Sequence, residues 1–159
     1  MLHKVFAGLF LTLILLAGCS TNNCTKTCPY PNMACYQNVC VCKPGWEGAK
    51  CDSVTANKYV GLYKSVGNCV LTDHLCELVK APLGSADVDR IEITNFLNLG
   101  INVFAYVDNT NITIPNQLQD SYNISGDGWY ETNTKNINFS IQYYDFTNQR
   151  TCTIKLIRQ

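Results

Sequence analysis

The chain predicts a mainly β protein, in which a short disulfide-stapled module precedes an antiparallel meander of roughly eight strands that closes into a barrel. Three observations predict it. Six cysteines fall within residues 24–51, a stretch too short to bury a sufficient core without covalent staples. Beyond residue 56 the apolar residues recur at every second position in segment after segment, the period of strands with one wet face. No long helix fits between any two of these segments.

The elements follow in order. Arg90–Thr94 places Ile91 and Ile93 on one face, and Asn102–Val107 continues as a second strand. Asn111–Pro115 turns Ile112 and Ile114 inward. Asn136–Tyr144 aligns Ile137, Phe139, Ile141 and Tyr143, and Thr151–Leu156 aligns Cys152, Ile154 and Leu156. Weaker strands are expected near 60–68, 75–80, 117–124 and 128–132. Asp108-Asn109, Gly126-Asp127-Gly128 and Asn148-Gln149 are the expected turns. A meander of this length removes its unpaired edges by curling into a barrel.

Composition narrows the functional classes. The 159 residues carry a formal net charge of zero, with no run of one sign, so neither nucleic acid nor an acidic surface is implied as a partner. Ten cysteines are too many for a reducing compartment unless they bind metal, and point to export and disulfides. His3 and Lys4 precede an apolar run from Val5 to Leu16, shorter than the about 20 residues of a comfortable spanning helix but suited to a signal peptide over residues 1–18.

Leu15-Leu16-Ala17-Gly18-Cys19 resembles the lipobox of bacterial lipoproteins. The resemblance implies cleavage before Cys19, lipidation of its thiol and palmitate-type acylation. Anchoring through several acyl chains would be stable, since each buried CH2 contributes about 0.8 kcal/mol. The expected location is the envelope of a Gram-negative bacterium, in the outer membrane, with the membrane face left open. Residues 19–23 form the tether.

Residues 24–51 carry cysteines at 24, 28, 35, 40, 42 and 51, ending in Cys40-Val-Cys42-Lys-Pro-Gly45-Trp46-Glu-Gly48-Ala-Lys-Cys51. This segment resembles EGF-like domains. Six cysteines alone leave fifteen pairings open. The resemblance implies Cys24–Cys35, Cys28–Cys40 and Cys42–Cys51. Zinc is not expected, because the segment has no histidine, and calcium is not expected, because Thr21-Asn22-Asn23 offers no carboxylate. No cofactor is implied anywhere in the chain.

Residues 52–55 are expected to be a linker, and Ser53 in Asp52-Ser53-Val54 fits a short O-glycosylation pattern of exported Bacteroidetes proteins. Residues 56–159 resemble lipocalin-like, or calycin-like, small lipoproteins of that phylum, through Tyr59-Val-Gly-Leu-Tyr63, Ile112-Thr-Ile-Pro115, Ile124-Ser-Gly-Asp-Gly128 and Cys152. The resemblance implies the bridge Cys69–Cys152 and leaves Cys76 free or buried, with Cys76–Cys152 as the rival pairing.

Chemistry is sparse in the sequence. His74 is the one histidine beyond the signal peptide, and His74 with Cys76 would share a strand face. Such neighbours lack a third orienting group for nucleophilic catalysis. A solvent-facing histidine beside a structural cysteine is the plainer reading. Asp87 and Asp89 read as solvated turn residues rather than as a glycosidase pair. Trp129, Tyr130, Tyr143 and Tyr144 are the candidate ligand surface, through ring faces that stack on sugars, against a competing role in the barrel core. The expectation is a non-enzymatic, envelope-anchored binding or interaction module whose partner is a protein, a glycan or a small apolar ligand. The alternatives are a lipocalin-like carrier of an apolar ligand and a hydrolase of envelope or dietary glycans.

Overall fold

The structure is a computed structural model that describes residues 24–70, 72–81, 87–145 and 148–159. The signal peptide, the tether and Cys19 lie outside the described residues. The module opens with a hairpin of β1 (Met33–Tyr36) and β2 (Val39–Cys42), whose turn is made by Gln37 and Asn38 with positive φ. The bridges Cys24–Cys35, Cys28–Cys40 and Cys42–Cys51 are formed as the EGF-like resemblance implied. Alternation along the hairpin turns Cys35, Cys40 and Cys42 to one face and leaves Ala34, Tyr36, Val39 and Val41 on the other.

The stretch read as a linker is built into the structure. Ser53–Val54 forms β4 against β3 (Trp46–Glu47), and a 3-10 turn over Thr55–Lys58 follows with Thr55 and Ala56 buried. Thr55 N donates to Gly45 O at 2.9 Å, and Lys58 Nζ meets Glu47 Oε2 at 2.6 Å. Gly45 is required at its position: a Cβ there would lie 2.5 Å from Val88 Cγ2 and 2.9 Å from Asp89 N. The module therefore presses directly on the barrel.

Eight antiparallel strands close the barrel: β5 (Gly61–Gly67), β6 (His74–Lys80), β7 (Arg90–Phe96), β8 (Ile101–Asp108), β9 (Asn111–Gln119), β10 (Tyr122–Tyr130), β11 (Ile137–Tyr144) and β12 (Gln149–Arg158). Each strand pairs with its neighbour in sequence, and β12 pairs with β5 to complete the ring. First and last strands are thus adjacent, and Cys69–Cys152 links them. Asn68 reinforces that seam, its backbone N–H donating to Thr153 O and its side-chain oxygen accepting from Thr153 N at 2.8 Å.

Gly126-Asp127-Gly128 is not a turn. It runs through the middle of β10, and the turn between β9 and β10 lies at Asp120–Ser121 instead. The glycines face inward opposite Ile141 and Phe139. A Cβ on Gly126 would approach Ile141 Cδ1 and Ser140 O to 2.6 Å, and one on Gly128 would approach Phe139 Cδ1 and Asn138 O to 2.5 Å. Volume on β11 dictates the absence of volume on β10.

The core is one continuous cluster from all eight strands. Tyr59, Tyr63, Phe96 and Phe139 fill it together with the inward isoleucines, and all are fully buried. Tyr63 Oη donates to Tyr59 O at 2.8 Å and accepts from Arg158 Nη1 at 2.7 Å, while Tyr59 Oη donates to Asn109 O at 2.6 Å. These two tyrosine hydroxyls are thereby satisfied.

Candidate functional site

Strand direction sorts the connections between two ends of the barrel. The connections after β5, β7, β9 and β11 lie at one end, and those after β6, β8 and β10 at the other, where the module sits against Val88 and Asp89. The two described cavities are both at the end away from the module.

The larger is an open cleft of about 360 Å3 on the outer wall. Asn116 of β9, Asn123 and Ser125 of β10, Gln142 and Tyr144 of β11 and Gln149 of β12 line it, with the edge of Tyr143. Pairing explains their convergence: Asn123 faces Tyr144, Ser125 faces Gln142, and Tyr144 faces Gln149 across adjacent strands. A bulge in the β9–β10 ladder beside Ile124–Gly126 brings Asn116 to the same wall. The bulge also interrupts β8–β9 pairing, and the Gln117 side-chain amide takes the place of a ladder rung, donating to Phe104 O at 2.8 Å and accepting from Phe104 N at 3.1 Å.

The chemistry of this cleft is uniform. None of its described lining residues is charged. The side chains of Asn116, Asn123, Ser125, Gln142 and Gln149 make no hydrogen bond to any other described residue. Elsewhere on the wall the amides are occupied: Asn138 donates to Glu131, and Asn102 to Glu92. Each free amide offers both donors and an acceptor.

The aromatic quartet is divided by strand alternation. Trp129 and Tyr144 are 53% and 44% exposed on the outer wall, whereas Tyr130 and Tyr143 are 7% and 8% exposed and face inward. Tyr130 stacks edge-on against Tyr59, and Tyr143 against Tyr122, so these two are core residues rather than ligand surface. Trp129 stands beside Asn138 and Asp127, whose carboxylate accepts from Thr113. Trp129 and Tyr144 thus bracket a polar wall along β10 and β11.

The second cavity is a pit of about 180 Å3 at the barrel mouth, between Asn68, Cys69, Leu97–Leu99 and Arg150, with Tyr143 at its floor. The Arg150 guanidinium lies 5.9 Å from the Tyr143 ring centre.

His74 and Cys76 share a face of β6 as expected, but that face is inward. Both His74 ring nitrogens and the Oγ of Ser65, its cross-strand partner, are buried with no hydrogen-bond partner among the described residues. The solvent-facing reading of His74 is therefore corrected. Cys76 is free and buried, and burial pushes its thiol up to about 12. A thiol so disfavoured as thiolate is not an activated nucleophile. Asp89 O accepts from Val107 N at 2.8 Å and Asp87 O from Arg90 N at 3.1 Å, which makes this pair part of the β6–β7 connection beside the module. Ser53 is exposed on β4. Among the described residues no group of three or more His, Cys, Asp or Glu is gathered as a metal centre. No model of a protein family matches the chain, and no curated protein matches it.

Proposed function

We propose that the protein is a non-enzymatic binding module, lipid-anchored to the envelope through Cys19, that uses the β9–β12 wall to bind a neutral, hydroxyl-rich ligand such as a glycan. The observation that carries this reading is the cleft, in which amides and a hydroxyl with no hydrogen-bond partner among the described residues lie beside the exposed Tyr144 ring. Amides that can both donate and accept suit sugar hydroxyls, and an aromatic face suits the apolar face of a pyranose. A cleft without charge does not favour phosphate or carboxylate ligands. The described cavities open on the outer wall and at the barrel mouth, which speaks for surface recognition over the carrier alternative, a reading that would need an enclosed apolar cavity. The lipocalin-like resemblance is consistent with the closed eight-stranded barrel, and anchoring rests on the Leu15–Cys19 motif.

The test is affinity electrophoresis or calorimetry of the full mature chain against a panel of neutral polysaccharides. Tyr144→Ala and Gln142→Ala are each expected to weaken binding at least tenfold with no loss of thermal stability. Retention by none of the polysaccharides, together with binding of an apolar dye that the Tyr144 variant leaves unchanged, would overturn the reading. Non-reducing intact mass addresses the anchor separately, with an acyl mass on Cys19 and the loss of eight protons expected for four bridges.

A further inference from the structure

The module hairpin exposes an entire apolar face. Tyr36, Val39 and Val41 are 53%, 59% and 42% exposed, Ala34 is exposed beside them, and Tyr30 adds a further exposed ring nearby in sequence. Tyr36 pairs with Val39 and Ala34 with Val41, so the four form one contiguous surface. The opposite face cannot exchange with it, because three disulfides fix Cys35, Cys40 and Cys42 there. Soluble monomers seldom leave a joined apolar surface without a partner.

The path of the chain identifies that partner. Cys24 is bonded to Cys35 within β1, and Thr25 is held at the hairpin tip, its N–H and hydroxyl both donating to Asn38 Oδ1 at 3.0 and 3.2 Å. The five residues 19–23 can span at most about 18 Å even when fully extended. The tip that carries Tyr36 and Val39 is therefore the folded part tied most closely to Cys19. A tyrosine joined to small aliphatic residues suits the boundary between headgroups and acyl chains, where a ring is buried and its hydroxyl stays wet.

We propose that this hairpin face lies on the lipid surface, as a second membrane contact that fixes the orientation of the protein above the bilayer. The proposal rests on the anchored reading, because the tether supplies the proximity. A lipid anchor alone holds a protein at the membrane without aligning it, whereas an anchor plus an apolar face defines two points of contact.

The experiment uses the full chain, purified with its natural Cys19 modification and reconstituted in phosphatidylcholine–phosphatidylglycerol vesicles that carry a shallow brominated-lipid quencher. Tyr36→Trp adds a reporter to the patch, and Val39→Trp is a second one should the first fail to fold. The added fluorescence is expected to be quenched at least threefold more than that of the native Trp46 and Trp129, and to shift to the blue. Acylated, vesicle-bound protein whose added tryptophan is unquenched would overturn the hairpin inference while leaving the anchor intact, and would turn the patch toward a protein partner. Protein without an acyl mass that floats free of vesicles would overturn both.

Discussion

At the scale of single residues, the informative groups are those whose surroundings restrict their chemistry. Hydrogen bonds from Thr134 and Asn138, with a smaller contribution from Lys155, lower the Glu131 carboxyl from 4.5 to about 2. The folded state therefore holds the ionised form more tightly than the unfolded chain does. That stabilisation is complete above pH 4.5 and is lost as the pH falls toward 2. Glu131→Gln should lower stability at neutral pH and flatten the acid limb of stability in this window, as urea melts at successive pH values would show. Cys76 has the opposite condition, a neutral thiol enclosed by the core. Iodoacetamide should not modify it in native protein and should modify it fully after denaturation, which peptide mass mapping would read. Labelling of native protein at a rate like that of a free thiol would contradict the buried placement.

At the scale of elements, the alternation of strands was legible because side chains on a strand have two directions only. Ile137, Phe139 and Ile141 set the phase of β11, and that phase alone sends Tyr143 inward and Tyr144 outward. The glycines of β10 misled because Gly-Asp-Gly carries turn chemistry, whereas its true determinant is the bulk of Phe139 and Ile141 on another strand. The cleft amides were not legible as a group, since Asn116, Asn123, Gln142 and Gln149 converge through register and a bulge rather than through spacing. Gly128→Ala tests the packing argument. The new methyl meets a backbone oxygen that cannot retreat, and a loss of about 2 kcal/mol is expected in denaturant melts. Ser140→Ala on the exposed wall of β11 should be nearly neutral.

At the scale of the molecule, two devices hold the barrel shut. The β5–β12 ladder completes the ring, and Cys69–Cys152 spans 83 residues across the same seam. Closing so long a loop restricts the unfolded chain, and Cys69→Ala with Cys152→Ala should cost about 4 kcal/mol, read as a lower urea midpoint. The barrel, its strand order and its closing bridge followed from the sequence and its resemblance. The union of module and barrel did not, because β4 pairs over only two residues and the fit of Gly45 against Val88 depends on shape. With the module at one end and both cavities at the other, β11 and β12 run eight and ten residues between them. Strands of that length, tilted as barrel strands are, give a stand-off of roughly 20 Å. If the hairpin face rests on the bilayer as proposed, ligand capture would take place above the crowded lipid headgroup layer, within reach of long polymers that could not themselves approach the bilayer.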